Sequence, residues 1–407
     1  MKGDLVINII ANGVWGPDGL SGGDTIFIEL ARFWAKGGVE VNIFTWEDGY
    51  EMCQDNKLIG VNYHVIKLRK YKRLGFYLLY LLRAIAGIRK VKKVICSGRF
   101  ANRRVVVYSA SDFYPDSIPG YFFKRYLKRA KWVGSLYLFA PNPVKGFRAS
   151  YKRKITFPRL GNIAFYLSQK PIFWLVAKFA DLIFVTSEPD VKPFVSKGRN
   201  LNDIFVVKGG IDFQHISSML TTIPKTYDAC FIGRFHPQKG VLEMIDIWHE
   251  VCWSKPSAKL AVIGLGNLEV NMKEKISGYG LQDNIEFLGT MTGDDKLEIL
   301  QKSRVVLHPA VYDSGGMAAC AGLACGLPGI CFELESLKTY YHQGFLRAPV
   351  GDIKAFSEHI INLLDDKELY DKMSREAIEE AKTWDWKQRG QRSLERIEAL
   401  FSESNTT

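Results

Sequence analysis

Short apolar runs recur along this chain, and the stretches between them carry apolar residues at helical spacing. Most runs are continuous rather than alternating with polar residues, which is typical of parallel strands covered on both faces. Helices are indicated between the runs, for example over residues 25–36, and this alternation predicts an α/β fold with parallel sheets. The predicted strands cover residues 5–10, 39–45, 63–68, 105–109, 133–139, 182–186, 204–207, 229–232, 259–263, 285–288, 305–308 and 329–332.

So many strands exceed one sheet of ordinary size, and we therefore expect two doubly wound, Rossmann-like domains. The break is expected at the Gly209-Gly210 turn, close to a change in charge balance. This division predicts one domain over residues 1–208 and a second over residues 209–385. Because ligands of such folds bind outside the carboxyl ends of the strands, two facing domains would hold a donor and an acceptor across one cleft.

Charge is spread unevenly along the 407 residues, whose formal net charge is +12. Residues 1–200 contain 33 Lys and Arg against 14 Asp and Glu, whereas residues 201–407 contain 22 against 29. The excess is concentrated in residues 51–180, which hold 27 basic and 4 acidic side chains. The first half is therefore expected to face something anionic.

Several classes of protein are disfavoured by the composition. The seven cysteines form no CxxC pair, so a disulfide framework or a zinc site is not expected, and a reducing compartment fits best. The first apolar run lacks the pattern of a signal peptide, and no stretch reaches the roughly 18 apolar residues of a membrane span.

Two segments of the second half carry candidate chemistry at predicted strand ends. Residues 231–240, FIGRFHPQKG, place Arg234 and Lys239 in a loop before a helix, which suits a diphosphate, although a solvated basic loop is the alternative. Residues 308–328, HPAVYDSGGMAACAGLACGLP, place Asp313 and a Ser-Gly-Gly turn before a helix of small residues. Backbone N–H groups there could approach an anion closely, although tight helix–sheet packing explains the same residues.

Together these segments resemble the donor half of GT-B glycosyltransferases, most closely glycosyltransferase family 4. That family shows Gly-Arg followed by Lys-Gly, as in Gly233-Arg234 and Lys239-Gly240 here, and an acid at the position of Asp313. The resemblance implies a retaining transferase that uses a nucleoside-diphosphate sugar and neither metal nor cofactor. It assigns catalytic roles to Arg234, Lys239 and Asp313, and donor contacts to Gly233, Gly264, Gly289, Ser314, Gly315, Gly316, Met317 and Ala318. It also implies that a C-terminal helix over residues 386–407 packs back on the first domain.

One position departs from the family pattern. The family's second Glu, which usually holds the nucleotide ribose, corresponds to Ala321. Losing such a hydrogen bond costs about 1–3 kcal/mol where a charged group was involved. There are three alternatives. Donor binding is weaker, Glu333 or Glu335 after the next strand replaces the missing acid, or the protein is an inactive relative.

The first half offers weaker candidates. Gly22 and Gly23 follow the first strand, where the resemblance places them near the donor phosphate; an ordinary turn capped by Asp24 or Thr25 is the alternative. Asp112 follows the fourth predicted strand and could bind sugar or acceptor hydroxyls, or form an Asx turn before a helix near residue 117. The family's catalytic His has no counterpart, since the first 200 residues contain only His64.

Basic and aromatic residues are interleaved over residues 67–93, 121–131 and 145–174. This composition suits an anionic membrane interface, which we expect residues 67–180 to contact. A solvated basic face is the alternative, and no motif supports nucleic-acid binding.

The sequence as a whole thus predicts a peripheral glycosyltransferase on the cytosolic membrane face with a lipid-linked or glycan acceptor. There are three alternatives: a transferase for soluble acceptors, a non-catalytic relative that binds nucleotide sugars or a partner, and a nucleotide-sugar isomerase of the same fold.

Overall fold

A computed structural model describes residues 4–14, 20–144, 146–147 and 160–402 of the chain. The described residues divide into two compact units, one within residues 1–140, 159–209 and 386–407 and the other within residues 141–158 and 210–385. Among the described residues, no helix is long and apolar enough to span a membrane.

The first unit is built on a parallel sheet of seven strands in the order β3-β2-β1-β4-β5-β6-β7. Its strands are β1 (Leu5–Ile10), β2 (Glu40–Trp46), β3 (Asn62–Ile66), β4 (Arg104–Ser109), β5 (Lys131–Ser135), β6 (Leu182–Val185) and β7 (Ile204–Val206). The helices between them are α1 (Gly22–Lys36), α2 (Glu47–Asp55), α3 (Phe76–Cys96), α4 (Tyr114–Tyr126), α5 (Leu160–Phe179) and α6 (Lys192–Val195). β1 is buried along its whole length, and its neighbour β4 along all but its first residue, because apolar side chains cover both faces of the sheet.

The second unit repeats this architecture with six parallel strands in the order β10-β9-β8-β11-β12-β13. Its strands are β8 (Tyr227–Ile232), β9 (Leu260–Ile263), β10 (Ile285–Gly289), β11 (Ser303–His308), β12 (Gly329–Phe332) and β13 (Phe345–Ala348). Its helices are α7 (Phe213–Ser218), α8 (Val241–Ser254), α9 (Glu269–Tyr279), α10 (Gly293–Lys302), α11 (Met317–Ala324), α12 (Glu335–Tyr340), α13 (Ile353–Asp365) and α14 (Lys367–Lys382). The predicted fold class, two doubly wound α/β domains, is therefore confirmed.

Two strands differ most from the sequence prediction, whereas the bounds of the others agree within two residues. β13 was not predicted, because its four residues include Arg347 and its order comes from pairing with β12 at the edge of the sheet. β5 begins and ends earlier than predicted, since Lys131 already pairs with Val106 of β4. The chain then leaves the sheet, and the side chain of Gln169 takes over the hydrogen bonds of Leu138 and Ala140.

The domain boundaries lie within one residue of those expected, with one correction. The described residues of the segment 141–147 group with the second unit, although they precede Gly209 in sequence and were assigned to the first domain. The physical reason is ring packing, because Phe147 contacts His236 and Tyr312 with centroid distances of 5.1 and 5.6 Å.

The last helix, α15 (Trp386–Ala399), belongs to the first unit and packs against α1, as the family resemblance implied. Trp384, at the end of the second unit, is buried and stacks on Tyr341 at 4.9 Å. Gly390 is the residue of α15 that lies against Phe33 of α1, so closely that a Cβ atom there would be 2.8 Å from the Cβ of Phe33. The absence of a side chain at Gly390 thus sets how closely the two helices approach.

Replacing Gly390 with Ala should therefore push α15 away from α1 and destabilise the first unit by about 1–3 kcal/mol. The measurement is the thermal unfolding midpoint. Gly161→Ala is the matched control, because Gly161 is also helical, belongs to the same unit and has open space around its missing Cβ. Its midpoint should stay the same or rise, since Ala favours helix. Equal midpoints for the two variants would contradict this account of the packing.

Candidate active site

The candidate site of the second unit lies where β8 and β11, neighbouring strands of the sheet, reach their carboxyl ends. The loop after β8 carries Arg234 and Lys239, and the loop after β11 carries Asp313. Residues 74 positions apart in sequence are therefore adjacent in space. This edge is where ligands of doubly wound folds bind.

The backbones of the two loops are tied together. The carbonyl oxygen of Gln238 accepts hydrogen bonds from the N–H groups of Val311 and Tyr312 at 2.9 and 3.2 Å. Gly240 has a positive φ of 64°, and any Cβ atom there would overlap the carbonyl oxygen of Pro309. Only glycine therefore allows this close approach of the loops.

Lys239 and Asp313 form a largely buried ion pair. Lys239 Nζ lies 2.5 Å from Asp313 Oδ2, and the two side chains are 16% and 9% exposed. His308 contacts the same oxygen, since its Nε2 lies 3.3 Å away, and its side chain is 2% exposed. One carboxylate oxygen thus meets both a lysine and a buried imidazole.

The electrostatics of this cluster favour an ionised Asp313. Burial opposes its ionisation, but the charge of Lys239 and the contact with His308 outweigh burial and hold the pKa of the carboxyl well below its usual range. Burial also lowers the pKa of the His308 imidazole, although Asp313 acts in the opposite direction. At neutral pH the cluster therefore holds a carboxylate, an ammonium and a neutral imidazole.

The turn between Asp313 and α11 is fixed by hydrogen bonds. Asp313 Oδ1 accepts from the N–H of Gly315 at 3.3 Å, and its carbonyl oxygen accepts from the hydroxyl of Ser336 at 2.6 Å. The hydroxyl of Tyr341 donates to the carbonyl oxygen of Gly316, where α11 begins. Ser314, Met317 and Ala318 follow the same turn, so this part of the expected donor site is assembled in one place.

Arg234 is exposed, and the structure shows no ion pair between its guanidinium and an acid of the described residues. His236 lies beside it, and its Nδ1 accepts from the N–H of Gln238 at 3.4 Å. Burial, helped by the charges of Arg234 and Lys239, lowers the pKa of His236 to about 4. The loop therefore carries positive charge that its own neighbours do not neutralise.

The glycines that were predicted to contact the donor lie at the same edge of the sheet, where they pack against the backbone of neighbouring strand ends. Gly264 has a φ of 145°, and a Cβ atom there would overlap the carbonyl oxygen of Gly233. Its N–H donates to the carbonyl oxygen of Gly289 at 2.8 Å. Gly233, Gly264 and Gly289 thus pack the ends of β8, β9 and β10 together.

The structure offers no carboxylate at position 321. Ala321 is 6% exposed and belongs to the apolar cluster between α11 and the sheet. Glu333 and Glu335 are exposed, and both pair with Lys338 at 3.1 and 3.0 Å. Replacement of the missing acid by one of these glutamates stays a prediction. To bind the ribose, either glutamate would have to leave its ion pair with Lys338.

Gly22 and Gly23 lie in the first unit, at the start of α1. The helix is capped by Ser21, which forms a capping box with Asp24, so Asp24 and Thr25 are not the cap. The capping box corrects that part of the sequence interpretation. A donor contact of the two glycines stays a prediction.

Asp112 follows β4 as expected. Its carboxylate is bound by a distant side chain, that of Gln169, instead of forming a local Asx turn. Its Oδ2 accepts from Nε2 of Gln169 at 2.7 Å, and Gln169 is 7% exposed. Burial raises the pKa of Asp112 to about 6, although the hydrogen bond from Gln169 acts against this. The helix that follows begins at Tyr114, earlier than the expected start near residue 117.

Sequence reasoning missed several functional candidates. Asp116 is buried and accepts from the N–H of Gly13 at 2.6 Å and the hydroxyl of Ser111 at 2.5 Å, and burial raises its pKa to about 7. The sequence does contain a signal for His308, because a polar residue there ends an apolar strand. Gln169 gave none, because its partners are far away in sequence. No cluster of metal-ligating side chains occurs in the described parts of the chain.

Comparison with known proteins matches most of the second unit to one family model. Residues 215–380 match the family model described as glycosyl transferases group 1. The gpi3 subunit of phosphatidylinositol N-acetylglucosaminyltransferase from Schizosaccharomyces pombe is 25% identical over 96 residues, which are 24% of this chain and 21% of that protein. O-antigen chain mannosyltransferase B from Escherichia coli is 22% identical over 160 residues, 39% of this chain and 42% of that protein. The chain thus aligns with less than half the length of these curated relatives.

A solved structure of HepE from Anabaena in complex with UDP-glucose has the same fold. Its TM-score is 0.70 at 13% identity, with 97% of this chain and 99% of that chain covered. The chain has the GT-B fold, and residues 215–380 of its second unit match the model of the group 1 glycosyl transferases. The narrower resemblance to family 4 stays a prediction.

A double-mutant cycle tests whether the buried ion pair organises the site. Lys239→Met and Asp313→Asn, alone and combined, should give a coupling of about 1–3 kcal/mol in the free energy of unfolding, because each single variant leaves a buried partner uncompensated. The control pair is Lys367 and Asp371 on α14, at the same 2.5 Å distance but with side chains 87% and 44% exposed. Its coupling should not exceed about 0.5 kcal/mol. Similar couplings in urea titrations of both cycles would refute this role.

Proposed function

We propose that this protein transfers a sugar, with retention of configuration, from a nucleoside-diphosphate sugar to a lipid-linked or glycan acceptor. The observation that carries the proposal is the pairing of Lys239 with Asp313 beside exposed Arg234, at the ligand-binding edge of a group 1 glycosyltransferase unit. Two fixed cations suit a diphosphate, and a carboxylate suits the hydroxyls of a sugar.

In the proposed reaction the diphosphate leaves as negative charge builds on it. Arg234 and Lys239 stabilise that charge in place of a metal ion. Backbone N–H groups at the start of α11 contribute further stabilisation. Asp313 holds hydroxyl groups of the transferred sugar. The leaving phosphate accepts the proton of the acceptor hydroxyl, so the mechanism requires no strong general base.

The relatives support a sugar nucleotide as the donor without identifying the base. The Anabaena structure holds UDP-glucose, and the Escherichia coli relative is named a mannosyltransferase. These ligands and activities belong to those proteins. For this chain we propose the class only, a nucleoside-diphosphate hexose.

Arg234→Ala should lower the transfer rate by about 10²–10³, by analogy with the loss of one donor that stabilises an oxyanion. A thermal-shift panel of UDP, GDP, ADP, TDP and CMP and their common sugar derivatives selects the donor; a ligand at 100 times its dissociation constant adds about 2.7 kcal/mol of stability. Arg375→Ala is the control, since Arg375 is exposed on α14, away from the carboxyl ends of the strands. Near-normal transfer by Arg234→Ala would overturn its assignment.

A non-catalytic relative that binds a sugar nucleotide is the second candidate, and Ala321 is the observation that favours it. The panel and the transfer assay separate the two functions. A thermal shift without any transfer to lipid-linked or soluble glycans would favour the binding protein. A thermal shift with transfer would favour the enzyme.

We further propose that the first unit attaches to an anionic membrane, at the cytosolic face, through α3, α4 and α5. These helices share one apolar cluster under the sheet, so their outer surfaces lie on the same side of the unit. Tyr77, Leu78, Leu81 and Ile85 form an exposed apolar stripe on α3 and are 46–61% exposed. Large apolar side chains of α5 are exposed as well, namely Leu160, Leu167 and Trp174.

Basic residues accompany this stripe and give the surface its charge. Lys92, Lys170 and Lys178 each lie over an aromatic ring of the same helices, at 4.5–5.7 Å from the ring centroid. Lysine next to exposed aromatic and aliphatic side chains suits the headgroup region of an anionic bilayer. Residues 148–159 of the predicted contact region lie outside the described residues.

The triple variant Tyr77→Ser/Leu78→Ser/Leu81→Ser should bind vesicles of phosphatidylserine and phosphatidylcholine at least about tenfold more weakly, because the apolar area that enters the bilayer is lost. Sedimentation with the vesicles measures this, and salt should weaken wild-type binding by screening the lysines. Ile59→Ser/Trp253→Ser is the control, with side chains 79% and 84% exposed outside the three helices. Equal binding by both variants, or no binding by the wild type at low salt, would refute the surface.

A further inference from the structure

His308 is a buried imidazole in contact with the carboxylate of the proposed donor site. It ends β11, and its side chain is 2% exposed. Its Nε2 lies 3.3 Å from Asp313 Oδ2, a long contact that lacks the alignment of a full hydrogen bond. The ring therefore stands next to a negative charge without being strongly bonded to it.

The free protein balances the charge of Asp313 with Lys239, at 2.5 Å. Because burial depresses the pKa of His308, the imidazole is neutral at neutral pH. The cluster of three side chains then carries no net charge, which suits its burial.

A bound diphosphate changes this balance. In the proposed function the diphosphate contacts Lys239, so the ammonium is shared between the ligand and Asp313. The added negative charge raises the affinity of His308 for a proton, and a buried carboxylate whose counterion is shared gains most from a second cation. Besides Lys239, His308 is a titratable side chain that already touches this carboxylate.

We propose that His308 takes up one proton when the donor diphosphate binds at Lys239, and that the imidazolium then holds Asp313 ionised and in place for the sugar. The inference rests on the proposed donor site. The proton comes from the solvent and forms an N–H bond on His308, and no other covalent bond changes. His308 is thus a positioning residue that acts through Asp313.

Other titratable groups lie near the site, but they are less suited to accept the proton. Asp313 and Lys239 are the groups that act electrostatically on His308, and Asp313 in turn acts on Tyr341, the residue that follows α12. His236 also lies close to Lys239, but its Nδ1 accepts the N–H of Gln238, and protonation there would break this hydrogen bond. Tyr341 has its pKa raised well above the usual value by burial and is already protonated. His308 is therefore the favoured acceptor.

The experiment is isothermal titration calorimetry with UDP-glucose and with GDP-mannose at pH 7.5, in two buffers of different ionisation enthalpy. The diphosphate of a sugar nucleotide carries no proton that titrates near this pH, so a buffer-dependent heat reports protons taken up by the protein. Uptake of up to one proton is expected, and affinity should rise as pH falls, by at most about tenfold per pH unit.

His308→Asn should bind the donor with little or no proton uptake and a flat pH dependence, because the Asn amide cannot titrate. His308→Gln provides a second variant in case Asn lowers the unfolding midpoint. His236→Asn is the matched control and should keep the proton uptake. In steady-state assays His308→Asn should also flatten the pH profile of kcat/KM.

The outcomes separate the two hypotheses. Donor heat with no buffer dependence in the wild type overturns the role of His308 and leaves the donor site standing. Loss of uptake in His236→Asn, or unchanged uptake in His308→Asn, also overturns it. If no sugar nucleotide of the panel gives a thermal shift or heat, the proposed function itself fails, and the inference fails with it.

Discussion

The ion pair between Lys239 and Asp313 is the constraint on which the candidate site depends. It joins the loops that follow β8 and β11, two adjacent strands, and the hydrogen bonds from Gln238 join the same loops through the backbone. A carboxylate with 9% exposure and no counterion would destabilise the folded state. The ion pair therefore holds both side chains, Asp313 and Lys239, in place. The proposed phosphate-binding cation and the proposed sugar-binding acid are therefore positioned by one contact.

The acids of the two units differ in their electrostatics because their partners differ. Asp313 faces an ammonium, so the pKa of its carboxyl is lowered in spite of burial. Asp112 faces the neutral amide of Gln169, so burial prevails and raises its pKa to about 6. Asp116 is similarly raised to about 7, because hydrogen bonds from Ser111 and Gly13 do not offset its burial. These three buried carboxyl groups thus differ in how readily they ionise.

Much of the fold could be predicted from the sequence because strands buried on both faces leave continuous apolar runs. The bounds of β1 and β12 agree with the prediction, and the Gly209-Gly210 turn lies at the junction of the units. Where the prediction failed, the signal was not local. The edge strand β13 is ordered by its neighbour, and Phe147 is drawn to the second unit by rings that follow it by almost 90 residues or more.

The sequence by itself determined the class of fold, the order of the strands along the chain and the loops that carry Arg234, Lys239 and Asp313. Apolar periodicity and turn residues act over a few positions, so a linear pattern is enough to specify them. The tertiary structure decided which of these loops meet, through contacts such as Lys239 with Asp313 and Asp112 with Gln169, 74 and 57 residues apart. It also decided the protonation states, and it brought His308 to the carboxylate. Burial and the distance between charges govern ionisation, and both exist only once distant segments have packed together.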